Sequence, residues 1–147
     1  MRNICKSVIS ILMLSFLTSA CGSFDHKEQL ESVLEEEQSD FAKIEVSSIT
    51  PKSEKIAIAC PYSGDKVNDE FRDSVFKGYE AEHEGNNWIV LEKSDGAVVK
   101  EEFYRAEIDM CTIGFDGFSY ISPEDVLVFE RNAYTWILSD IERKNVD

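Results

Sequence analysis

The sequence predicts an α+β fold: one sheet-dominated, antiparallel domain over residues 54–147, with one or two helices and one disulfide. Three observations predict it. Short apolar or alternating stretches recur between turn signals, as half-buried strands do. An Asp95-Gly96 pair lies between two of these stretches, and Asp-Gly is a strong hairpin signal. Two cysteines, Cys60 and Cys111, remain available for a bridge once the N-terminal segment is set aside.

The elements follow in chain order. Residues 21–53 are dense in acids, with Glu28, Glu31, Glu35, Glu36, Glu37 and Asp40 among a few apolar residues. Leu30, Val33, Leu34, Phe41 and Ile44 partly fit one helical face. The stretch therefore reads as an acidic, partly helical tether, ended by Ser47-Ser48-Ile49-Thr50-Pro51. Lys55–Cys60 is a short apolar run suited to a buried strand, and Pro61-Tyr62-Ser63-Gly64-Asp65 ends it with turn chemistry. Asn68 or Asp69 is a helix cap ahead of Phe71, Val75, Phe76 and Tyr79, which are spaced for one face. Glu84-Gly85-Asn86-Asn87 is a turn cluster.

Trp88–Leu91 and Ala97–Val99 then form a hairpin about Ser94-Asp95-Gly96. From Glu102 to Ile113 the residues alternate, with Tyr104, Ala106, Ile108 and Met110 on the mainly apolar side, which predicts one long half-buried strand. Gly114–Gly117 closes it. The tail, residues 123–141, has two readings. Ser122-Pro123-Glu124-Asp125 is a good helix start. The β-branched and aromatic content of Val126–Phe129 and Tyr134–Leu138 favours a hairpin about Arg131-Asn132.

Residues 1–20 carry an address. Arg2 and Lys6 precede the uncharged, mainly apolar run Val8–Leu17, and the small residues Thr18, Ser19 and Ala20 lead to Cys21. A basic start, a short apolar stretch and a small-residue cleavage site describe an export signal. The run is too short to span a bilayer, which takes about 20 residues. Leu17-Thr18-Ser19-Ala20-Cys21-Gly22 resembles the lipobox of bacterial lipoproteins, with the leucine one step further from the cysteine than that class favours. The resemblance implies cleavage before Cys21 and lipid on its thiol. Gly22, in the position after the cysteine, implies the outer membrane if the host is Gram-negative. The alternative is an ordinary signal cut after Ala20, which releases a soluble protein.

Removing residues 1–20 takes Arg2 and Lys6 and no acid. The 15 Lys+Arg of the whole chain become 13, against 29 Asp+Glu, and the net charge moves from −14 to −16. Such a balance excludes nucleic acid, whose phosphates demand Lys and Arg. It steers encounter with a basic protein partner, and equally it serves solubility. It repels anionic headgroups, so membrane attachment falls to the lipid on Cys21. Cys5 leaves with the signal and Cys21 is taken by lipid. In an oxidising compartment Cys60 and Cys111 are then expected to pair.

No constellation for catalysis stands out. Ser63-Gly64-Asp65-Lys66 matches S-x-x-K, but the companion S-D-N and K-T-G motifs of penicillin-recognising enzymes are missing, as is G-x-S-x-G. His83 lies among Glu80, Glu82 and Glu84 without a second histidine nearby, the pattern of a solvated acidic turn. Asp109, Asp116, Glu124 and Asp125 would make a calcium site only if the fold gathered them. No catalytic residue, metal or cofactor is expected. The Gly-flanked segment holding Phe115, Asp116, Phe118 and Tyr120 is the candidate binding loop, set against a simple cover for the sheet edge. The expected function is a non-enzymatic, membrane-anchored protein-binding module, such as an inhibitor or immunity factor for a basic partner. An assembly role at the outer membrane and a small envelope hydrolase using Ser63 or His83 are the alternatives.

Overall fold

The computed structural model describes residues 26–50, 53–114 and 116–144. Cys21, the expected export signal over residues 1–20 and Phe115 lie outside these residues. The elements are α1 (His26–Glu36), β1 (Phe41–Glu45), α2 (Val46–Ile49), β2 (Ser53–Ala59), α3 (Gly64–Phe71), β3 (Asn86–Lys93), β4 (Val98–Tyr104), β5 (Ile108–Asp109), β6 (Phe118–Ile121), β7 (Val126–Asn132) and β8 (Thr135–Glu142). A single 3-10 turn covers Glu80–Glu82.

The strands make two four-stranded sheets, ordered β1-β7-β8-β5 and β4-β3-β2-β6. Every pairing is antiparallel except the two-residue β5–β8 contact. Strand alternation explains the layering. Ile56 and Ile58 of β2, and Cys60 just beyond it, face the main core, whereas Ala57 and Ala59 face the other way. The main core gathers Ile56, Ile58, Ile89, Leu91 and Phe103 of one sheet with Ile44, Leu127, Phe129, Trp136 and Leu138 of the other. The second face of β2 and β3 is covered by Val67 and Phe71 of α3 and by Phe76, whose ring meets Trp88 edge-on at 5.0 Å. The β2–β3 sheet is therefore buried on both faces. That is why its strands read as near-continuous apolar runs.

The disulfide joins Cys60, just after β2, to Cys111, just after β5, with Cα atoms 5.7 Å apart. It is a cross-link between the two sheets.

The chain departs from the sequence expectation in three places. Residues 26–50, read as part of a tether over 21–53, are packed into the fold, so its described boundary reaches back from residue 54 to His26. Leu30 and Leu34, one helical turn apart, are fully enclosed in the main core. Ala42 and Ile44 of β1 point inward beside β7. His26 Nδ1 lies 2.7 Å from the Ile49 carbonyl, joining α1 to α2. The acids occupy the outer face of α1, which is an amphipathic core helix with an unusually charged exterior.

Helix α3, expected to be capped by Asn68 or Asp69, starts earlier, at Gly64, and ends at Phe71, where Arg72 takes a left-handed backbone (φ 51°). Val75, Phe76 and Tyr79 lie beyond it. The expected long strand over 102–113 is broken by a turn in which the Glu107 amide donates to the Tyr104 carbonyl. Buried Asn87 fixes that break. Its carboxamide donates to the carbonyls of Phe103 and Ile108 and accepts from the Met110 amide, at 2.7–3.0 Å. Three backbone groups that a continuous strand would pair with a neighbour are satisfied by one side chain. The tail is a hairpin, with Ala133 and Tyr134 at its tip.

Candidate functional site

A groove lies where α1 meets the tip of the β7–β8 hairpin. Glu31, Leu34 and Glu35 of α1 line it together with Glu107 and Ile108. Arg131, Tyr134 and Trp136 close it from the hairpin. The groove is open to solvent, with a volume of about 430 Å³, within the ~300–1,000 Å³ usual for ligand clefts.

Backbone and side-chain bonds hold its walls. The Trp136 amide donates to the Glu107 carbonyl at 2.8 Å, and the Thr135 hydroxyl donates to the Ala106 carbonyl at 2.7 Å. These two bonds dock the hairpin on the turn after β4. The Arg131 amide donates to the Asp40 carbonyl, which ties the hairpin to the segment between α1 and β1.

Inside the groove the Arg131 guanidinium lies 4.3 Å above the Trp136 ring, a cation–π contact. Glu31 is 3.6 Å from Lys27, whereas Glu35 and Glu107 make no ion pair among the described residues. Glu37 at the helix end is held below the usual carboxylate range by hydrogen bonds from the backbone and hydroxyl of Ser39, so it stays ionised. Tyr134 is 95% exposed at the tip, and the preceding Ala133 adopts a left-handed backbone (φ 56°). Asn or Gly would take that conformation at lower cost. A groove lined by Leu34, Ile108 and Trp136 together with the acids Glu35 and Glu107 suits a long cationic side chain, whose methylenes meet apolar surface while its head meets a carboxylate.

The residues singled out by sequence are placed as follows. Phe118 and Tyr120 lie in β6 at a sheet edge, not on a loop. Phe118 is buried and its ring meets Tyr120 edge-on at 4.9 Å. Lys55 Nζ lies 5.1 Å from the Tyr120 ring centroid and 4.8 Å from that of Phe71. This cluster covers the edge of the sheet, and Asp116 beside it is exposed. Ser63 is buried and its hydroxyl donates to the Cys60 carbonyl at 2.7 Å, while Lys66 sits over the Phe118 ring. The S-x-x-K pair is therefore not assembled. His83 borders a separate shallow hollow with Glu80, Trp88 and Glu102.

The four acids weighed for calcium are scattered. Asp109 is held bidentately by Arg105 at 3.0 Å, and buried Asp125 by Arg143 at 2.8 Å. Among the described residues no group of three His, Cys, Asp or Glu side chains is arranged to hold a metal.

Two tyrosines have perturbed acidity. Burial and the Glu70 carboxylate push Tyr120 above the ordinary tyrosine value, and the hydrogen bond to Glu84 does the same to Tyr62. A raised folded-state value means that any contribution to stability is present below about pH 10 and lost as pH rises through the folded value. Ultraviolet titration of the native protein should show a component ionising above about pH 10 that disappears in the Tyr62→Phe/Tyr120→Phe double variant. A loss of signal spread around pH 10 with the high-pH component still present would mean that neither carboxylate contact forms.

The groove escaped sequence reading because its residues come from three segments separated by up to a hundred positions. Arg131 and Trp136 were visible only as members of the tail. The chain matches no protein-family model, no curated protein and no solved structure.

Proposed function

We propose that this chain is a lipid-anchored envelope protein that binds a basic segment of another protein in the groove between α1 and the β7–β8 hairpin, without catalysing a reaction. One observation carries the reading: Glu35 and Glu107, which make no ion pair among the described residues, line a groove with Leu34, Ile108 and Trp136 beside the 95% exposed Tyr134. The net charge of the mature chain supports it, because a strong negative field accelerates encounter with cationic surfaces. The engagement of the Ser63 hydroxyl by a carbonyl supports a binding role over a hydrolytic one. An inhibitor or immunity factor is the form of activity that these features fit best, since such proteins act by covering a partner. The lipid on Cys21 keeps the protein at the envelope and the disulfide suits that compartment.

The test is charge reversal. Glu35→Lys and Glu107→Lys together should weaken capture of a basic envelope protein by on the order of a hundredfold, about tenfold for each charge. The same reversal at Glu92, on the opposite side of the fold, should leave capture nearly unchanged. Equal losses at both places would reduce the effect to net charge and remove the groove from the account. Intact mass spectrometry of the membrane-extracted protein reports the anchor separately, as acyl chains on a chain that starts at Cys21.

A further inference from the structure

The groove between α1 and the hairpin holds a cation of its own. Arg131 lines it together with Glu35 and Glu107. A ligand bearing only positive charge would set like charge against this guanidinium. What the groove accepts therefore depends on how Arg131 is held.

Its main chain is fixed by the sheet and by the segment after α1. Arg131 pairs with Trp136 across the β7–β8 hairpin, and its amide donates to the Asp40 carbonyl at 2.8 Å. The guanidinium carbon lies 4.3 Å from the centre of the buried Trp136 ring. Stacking of this kind occupies a face of the guanidinium and leaves the N–H donors at its edge. One of those donors reaches the Glu37 main-chain carbonyl, at a long 3.5 Å. The Glu37 carboxylate is engaged by Ser39 instead, accepting from its amide at 3.0 Å. Arg131 makes no ion pair among the described residues.

Glu31 is offset by Lys27 at 3.6 Å, so two carboxylates and one guanidinium are left to meet a ligand. The complement of that set carries both signs, with cations for Glu35 and Glu107 and one anion for Arg131. A carboxylate matches the planar fork of arginine with two parallel hydrogen bonds. Basic side chains and a carboxylate occur together at the end of a polypeptide that finishes in basic residues. Capture of a terminal carboxylate is an established mode of peptide recognition. A volume of about 430 Å³ lies toward the lower end of the ~300–1,000 Å³ of ligand clefts, which suits a chain end better than a long segment.

From this juxtaposition, and on the groove binding proposed above, we infer that the groove captures the free C-terminus of a partner protein ending in lysine or arginine. The terminal carboxylate sits on the edge of Arg131, and the basic side chains meet Glu35 and Glu107.

Calorimetric titration of the membrane-extracted protein at low salt tests this with three probes. They are acetyl-Gly-Ser-Lys-Lys with a free carboxylate, the same peptide amidated at its C-terminus, and L-lysine. The free acid should bind about tenfold more tightly than the amide. The amide carries one more positive charge, so attraction to the acidic chain as a whole favours it, and a preference for the acid isolates Arg131. Arg131→Gln should remove that preference, whereas Arg131→Lys, which keeps the charge without the fork, should retain part of it. Glu35→Lys/Glu107→Lys should weaken both peptides about equally. The comparison of acid with amide on the unaltered chain does not depend on how any variant folds. Equal affinity for acid and amide, with binding still lost on charge reversal, overturns C-terminal capture and leaves the binding of a basic segment standing. L-lysine binding as tightly as the free acid overturns the partner protein in favour of the amino acid. No binding of either peptide, or binding that survives charge reversal, overturns both.

Discussion

Replacing Cys60 and Cys111 together by Ala is expected to lower the stability of the protein by about 4 kcal/mol. The bridge spans 51 positions, and closing a loop of that size removes about this much free energy from the unfolded ensemble on the chain-entropy model. Against a typical domain stability of about 5–15 kcal/mol this is a large share. The melting temperature should fall by roughly 15 °C. The position of the bridge adds to the effect. Cys60 leaves one sheet and Cys111 the other, and the Cys60 amide donates to the Gly117 carbonyl at 2.8 Å. Urea denaturation of the double variant measures the loss. A midpoint within about 1 kcal/mol of the parent would show that packing alone sets the sheet spacing.

Leu34→Ala is expected to cost about 3 kcal/mol, within the ~2–5 kcal/mol range for removing a buried leucine. Leu34 is 1% exposed in the main core, whereas its neighbour Val33 is 41% exposed. Val33→Ala should therefore change stability by no more than about 0.5 kcal/mol. The contrast between adjacent residues is the informative quantity. A tether helix would tolerate both substitutions equally, and a core helix would not. Because Leu34 also lines the groove, its loss should loosen the seat of Glu35 as well.

The two cases show where the sequence was legible and where it was not. Strands bounded by turn residues declared themselves. The hairpin about Asp95-Gly96 and the tail hairpin follow from local chemistry, and the Cys60–Cys111 pair from counting the cysteines left once the expected export signal and lipid site are set aside. Failures arose where a distant partner decided the outcome. The leucines of α1 are few among many acids, and only the apolar surface waiting across the chain, from Ile44 to Trp136, makes them core. The break after Tyr104 is set by Asn87, sixteen to twenty-three residues upstream of the groups it binds, and alternation over 102–113 gave no sign of it. Phe118 and Tyr120 looked like a lip because glycines flank them, but β6 pairs with β2 and turns that segment into an edge strand. The groove joins α1, the turn after β4 and the hairpin tip, a meeting that no single segment announces.

The most direct test of binding at the groove is photo-crosslinking from position 134 in intact cells, with a benzophenone amino acid in place of Tyr134 and, as a reference, in place of Tyr79. The account predicts a discrete adduct with a basic protein from position 134, weakened by salt and by Glu35→Lys/Glu107→Lys, with none from position 79. No adduct from position 134, or the same adduct from both positions, would contradict it.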